Sequence, residues 1–176
     1  MTEANTPFTP SRLHAFTPSR LHAFTPSLLH FFTPKMFNPS RDEVRNFFFD
    51  LWAKYRGQAP LEGLETTALD IVLRHPEYHA ILDDRARYGT HEWTPQDGQT
   101  NPFLHFSLHL AVAEQLTIDQ PPGIRAEFER LQSVMGERHE AEHAVLDCLG
   151  ETVWQAQREG TGPDAEAYLD CLRRKA

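Results

Sequence analysis

From Ser40 onward, apolar residues recur at three- and four-residue spacing, and nowhere does the chain sustain the two-residue alternation of a half-buried strand. That pattern predicts an all-α fold. Ser40 caps a predicted helix in which Val44, Phe47, Phe48, Leu51, Trp52 and Tyr55 share a face, ended by Gly57. A second helix is expected over about 62–74, with Leu64, Ala68, Ile71 and His75 on one stripe. Pro76 opens a short piece over about 76–84, because its ring fits a first helical turn and its missing N–H would be an orphan there anyway. Residues 85–101, with Gly89, Pro95 and Gly98, read as a polar loop that carries Trp93.

Asn101-Pro102 then opens FLHFSLHLAVAEQL, which is apolar on nearly every face. A helix without a wet side belongs in the middle of a bundle. Asp119-Gln120-Pro121-Pro122 introduces the next helix, with Ile124, Phe128, Leu131 and Met135 as its stripe and Gly136 as its stop. A long helix over about 138–158 aligns His139, His143, Leu146, Gly150, Val153 and Gln157. Gly162-Pro163-Asp164 leads into a last short helix with Tyr168, Leu169 and Leu172. The expected architecture is a single helical bundle of about six helices around a central apolar one.

The first stretch of the chain is of a different kind. FTPSRLHA occupies 8–15 and again 16–23, followed by FTPSLLHF at 24–31 and FTPKMFNP at 32–39. Eight residues with a proline in each copy cannot form the supersecondary unit that a solenoid repeat requires. Two expectations compete for residues 1–35: a docking tail with Phe8, Phe16, Phe24 and Phe32 as spaced anchors, or a disordered low-complexity appendage. We favour the appendage, and with it the division into a repeat tail, 1–35, and a helical domain, 36–176. A further expectation is that translation begins at Met36, which the intact mass of the protein from its own host would decide.

Charge sharpens that division. The chain of 176 residues holds 17 Lys and Arg against 25 Asp and Glu, for a net charge of −8. Residues 1–35 contribute Arg12, Arg20 and Lys35 against Glu3, so the remaining residues carry 14 basic against 24 acidic groups. An acidic body of that size has no basic field for a phosphate backbone, which argues against nucleic acid as a partner. No apolar run approaches a membrane span, and the N-terminus lacks the pattern of a secretion signal. Cys148 and Cys171 are too few for a disulfide framework and lack CxxC spacing, so a reducing, cytoplasmic compartment is expected, with Cys148 as a buried helix cysteine. The crowded FFFDLW segment offers more apolar surface than one helix face needs, leaving room for a protein partner or self-association.

The candidate chemistry lies in the histidines. Of the seven beyond residue 35, six form pairs four residues apart: His75 and His79, His105 and His109, His139 and His143. Chance placement would give roughly 0.3 such pairs. Residues four apart on a helix face the same way, so one helix supplies two imidazoles to one centre. Pro76 makes the first pair the least regular, since it can break the helix between its members. One reading is a mono- or dinuclear site for a divalent transition metal, zinc, iron or nickel, because imidazole ligates all three without selecting among them. The other is a network of buried, hydrogen-bonded histidines that fixes the packing, with Glu77, Glu114, Glu142 or Glu151 as acceptors.

HEAEH at 139–143 also matches the zinc-hydrolase string in which Glu140 would act as general base. That match is weak, because no strand is predicted to bind an extended peptide and no third ligand stands at a recognised spacing. Glu140 with His143 makes one ExxH, the unit that ferritin-like di-iron proteins use twice, and a second copy is absent.

MFNPSRDEVRNFFFDLWAKYR, PLEGLE, HPEYHAILDD, NPFLHFSLHLAVAEQLTIDQPPGIR, EHAVLDCLGE, WQAQR and AYLDCLRR together resemble the bacterial family catalogued as domain of unknown function 1841. The likeness covers 36–176 and starts at Met36. It implies a small cytoplasmic helical protein and lends no activity, substrate or site. The metal reading and the structural reading of the histidines therefore both stand on the residues themselves.

Overall fold

The computed structural model describes residues 40–94 and 100–175. The repeat of 1–35 with its phenylalanines, the proposed start at Met36, and Pro95 and Gly98 lie outside the described residues. The elements are α1 (Arg41–Arg56), α2 (Leu64–Leu73), a 3-10 turn (Pro76–Tyr78), α3 (His79–Leu82), α4 (Arg85–Tyr88), α5 (Pro102–Ile118), α6 (Ile124–Met135), α7 (Arg138–Glu159) and α8 (Ala165–Arg174), with no strand among the described residues. The protein is all-α, and α1, α2, α5, α6, α7 and α8 are the six longer helices that the periodicity predicts.

Local chemistry sets where these helices start and stop. Ser40 and Glu43 form a capping box on α1: the Glu43 N–H donates to Ser40 Oγ at 3.2 Å and the Ser40 N–H to Glu43 Oε2 at 2.6 Å. Asn101 Oδ1 accepts from the N–H groups of Phe103 and Leu104, with Pro102 at the first helical position of α5. Asp119 ends α5 in a left-handed conformation, and its Oδ1 accepts from the N–H groups of Gly123 and Arg125 at the start of α6. Asp164 caps α8 in the same way through Glu166 and Ala167.

Packing confirms the central position of α5. Its Phe103, Phe106 and Leu110 join Phe48, Phe49, Leu51 and Trp52 of α1 and Ile71 and Val72 of α2 in one apolar cluster. Its Leu108, Ala111 and Val112 join α6, α7 and α8 in a second. With apolar residues committed to both sides, α5 holds its two histidines between the clusters. Within FFFDLW, Phe48 and Phe49 are buried against Phe103 and Phe106, while Phe47 is half-buried.

Three expectations need correction. Residues 85–101 are not all loop, because Asp84 Oδ1 accepts from the Arg87 N–H and caps the single turn α4. The segment after α4 is held from below by Arg45, which is buried, donates to the carbonyls of Gly89 and His91 at 2.7 and 3.1 Å and lies over the rings of Trp93 and Phe103. Leu64, assigned to the inner stripe of α2, is 59% exposed at the helix start. Cys148 is not a free cysteine: it is disulfide-bonded to Cys171, 23 residues on. The α7–α8 hairpin brings the two together, a contact that local spacing does not encode. The pairing removes the cysteine-based argument for a reducing compartment. No helix of the described residues is long and apolar enough to cross a membrane.

Candidate metal centre

Three elements deliver five imidazoles to one place. α5 contributes His105 and His109 from its single helical stripe, and both are buried. α7 contributes His139 and His143 from its first turns, both half-buried. The fifth, His75, follows the end of α2, where its N–H donates to the Val72 carbonyl at 3.0 Å and its backbone leaves helical geometry ahead of Pro76. Proline disfavours helical backbone at the preceding residue, and that break turns His75 inward.

The break also separates the first predicted pair. His79 lies beyond the 3-10 turn; its Nε2–H donates to the Val72 carbonyl at 2.9 Å and its ring packs on Trp52 with centroids 4.5 Å apart. The structure therefore brings together His75, His105, His109, His139 and His143 and leaves His79 outside. Within the group, ligand atoms of His75, His109, His139 and His143 all lie within 4.8 Å of one another. His105 packs edge-on against three of these rings, with centroids 4.5 Å from His75, 4.8 Å from His109 and 5.2 Å from His143.

Hydrogen bonding satisfies only part of the cluster. His75 Nδ1 donates to Glu77 Oε1 at 2.9 Å, and His75 Nε2 and His109 Nε2 share a 2.9 Å contact. His105 Nε2, His139 Nδ1 and His143 Nε2 are buried with no hydrogen-bond partner. A buried polar atom without a partner costs about 1–3 kcal/mol, which makes these three nitrogens the costly groups of the cluster. Metal–imidazole bonds of about 2.0–2.1 Å would place tetrahedral nitrogens about 3.3 Å apart, against the 4.8 Å within which the four ligand atoms lie.

Electrostatics keeps these donors in the ligating form. Burial pushes the pKa of every ring in the cluster down, and neighbouring imidazoles add to the effect for His105, lowered to about 2, and His143, lowered to about 3. His109 is lowered for the same reasons. His75 is also lowered by burial, against the opposing pull of Glu77, and His139 by burial and then by Arg74. A neutral imidazole offers one lone pair, the form a metal requires. Tyr78 walls the cluster beside His75 and His105; burial raises its hydroxyl to about 12, so it stays a phenol.

One buried carboxylate borders the site. Glu142 of α7 is ion-paired with Arg74 and with Arg138 Nε at 2.9 Å, and its Oε2 stands 3.8 Å from His109 Nδ1. Sequence reasoning named Glu142 only among several structural acceptors and missed Arg74 altogether. The i,i+4 spacing of Arg138 and Glu142 was the available signal. Glu140, the general base of the HEAEH reading, is exposed. With no edge strand among the described residues, the geometry gives peptide hydrolysis no support.

Comparison with curated proteins and with solved structures returned no match. A family model matches residues 40–174, which include every helix of the described residues and all five clustered histidines, and on that match the chain belongs to the family described as Domain of unknown function (DUF1841).

Proposed function

We propose that this protein binds one divalent transition-metal ion, zinc, iron or nickel, through His75, His109, His139 and His143, with His105 as a further imidazole donor. The convergence of four histidine nitrogens from three elements within 4.8 Å carries this reading. Three buried, unpartnered imidazole nitrogens support it against a purely structural network, which would satisfy them with protein acceptors. Glu77 is placed to orient His75 as an outer carboxylate, the usual companion of a metal-bound histidine. The structural reading retains the His75–Glu77 and His75–His109 bonds as its observations and differs in what metal does.

Untagged protein loaded with zinc, nickel or iron and freed of excess should carry about one ion per chain. It should melt about 5–10 °C above the chelated form when free metal is near 100 times Kd, because only the folded state presents the site. Replacing His139 and His143 together with Ala should abolish the shift while leaving His14, His22 and His30 of the repeat in place. Less than about 0.1 ion per chain and no shift with any of the three metals would leave the histidines as structural groups.

A further inference from the structure

A cavity of about 200 Å3 lies between α2, α5 and α7, and the metal reading does not use it. Ile71 of α2 and Val112, Ala113 and Leu116 of α5 give it an apolar wall, the first two buried and the others half-buried. Arg74, Arg138 and Glu142 form its charged side. The two arginines are not equivalent. Arg74 spends every nitrogen inside the chain: Nε donates to the Asp70 carbonyl at 3.2 Å, Nη2 to Asp70 Oδ2 at 2.9 Å and Nη1 to Glu142 Oε2. Arg138 commits only Nε, which donates to Glu142 Oε1 at 2.9 Å, and its guanidinium carbon lies 5.2 Å from the centroid of the Phe128 ring. Those two attachments hold the guanidinium in place, while Nη1 and Nη2 make no hydrogen bond among the described residues.

A planar fork of unspent donors at the edge of an apolar cavity matches a carboxylate joined to a hydrocarbon body. Holding the donors beforehand reduces the ordering entropy that a mobile surface arginine would lose on binding. We propose that this cavity binds a short-chain monocarboxylate, with its carboxylate on Nη1 and Nη2 of Arg138 and its chain against Ile71, Val112, Ala113 and Leu116. Drug-sized ligands fill pockets of about 300–1,000 Å3, so the smaller volume here suits an acid of about four to six carbons. An ammonium ligand finds no comparable partner, because Glu142 already accepts from both arginines and Asp70 accepts from Arg74. The inference does not depend on a metal, since His109 enters only as part of the cavity wall.

Calorimetric titration of the full chain, freed of metal and then of chelator, with acetate, butyrate, hexanoate and octanoate at constant ionic strength tests the proposal. Removing metal keeps the acids from binding to an ion instead. We expect affinity to rise about fourfold per methylene up to about six carbons and to rise no further at octanoate. Hexanoate should bind at least about tenfold more tightly than 1-hexanol, and Arg138→Ala should weaken hexanoate about 10–100-fold. Ala113→Leu, which puts a larger side chain into the wall, should weaken hexanoate more than acetate. No saturable binding of hexanoate up to about 10 mM would overturn the proposal. Equal affinity for hexanol and hexanoate, or a folded Arg138→Ala protein with unchanged affinity, would also overturn it. A rise that continues undiminished to octanoate would place the acids on an open apolar surface and not in this cavity. The wild-type series and the alcohol decide the matter even where a variant fails to fold, and their failure leaves the metal reading as it stands.

Discussion

An unfolded chain offers five histidines that take up protons near their ordinary pKa of 6.5, whereas in the folded cluster a charged ring would sit in a low-dielectric site beside four others. Below that pH the unfolded state binds more protons, so metal-free stability is fully present above about 6.5 and is lost as pH falls. Each fully depressed ring removes up to about 1.4 kcal/mol per pH unit. We expect the urea midpoint of chelated protein to hold between about pH 8 and 6.5 and to drop by about pH 5. The carboxylates whose pKa values are lowered, Glu43, Glu65 and Asp119, act below their ordinary range and leave that window to the histidines. A midpoint unchanged down to about pH 5 would contradict neutral rings in the fold. At this scale the sequence showed which residues carry chemistry, because i,i+4 spacing on a helix is geometry that needs no tertiary contact. It did not show that His79 stands apart or that Arg74 and Glu142 border the site. Those facts depend on the rotation of the chain at Pro76 and on how α2 meets α7.

The longer helices were legible because each buries a periodic stripe, and α1, α5 and α8 also begin on a capping side chain. α5 was legible as the central helix because it lacks a polar face, and its dependence on that position is measurable. Phe106 is fully buried against Phe48 and lies next to His105, so Phe106→Ala should cost about 3–5 kcal/mol in urea unfolding. A loss under about 1 kcal/mol would mean that α5 does not pack as described. The turn α4 and the course of the chain after it were not legible, since a single helical turn has no period to detect. The arginine that holds that segment, Arg45, lies three, four and seven residues before Phe48, Phe49 and Trp52 on the buried stripe of α1, where its charge gives no local sign of the carbonyls it meets. Arg45→Lys keeps the charge but loses the forked donors to Gly89 and His91, and should cost about 1–3 kcal/mol and alter Trp93 fluorescence. An unchanged urea midpoint and spectrum would remove Arg45 from that role.

For the molecule as a whole, the disulfide closes the α7–α8 hairpin over 23 residues, and in the loop-entropy account it contributes about 3 kcal/mol. Reduction should therefore lower the melting temperature, and a Cys171→Ala variant should melt lower than wild type under oxidising conditions and match reduced wild type. Identical melting of oxidised and reduced wild type would mean that the pair adds no stability. The family match begins at residue 40, after the repeat, and fits the proposal that 36–176 is the folding unit. A chain starting at Met36 should melt within about 1 °C of the full chain, whereas a larger fall would assign the repeat a structural role. The sequence by itself determined the all-α class, the six longer helices, the central place of α5 and the residue type of the candidate site, because periodicity, capping and pair spacing are local properties. Only the tertiary structure decided that five of the six paired histidines converge, that Glu142 rather than Glu140 is the buried carboxylate beside them, and that Cys148 meets Cys171. Each of those depends on distances between helices that packing sets and local spacing does not encode.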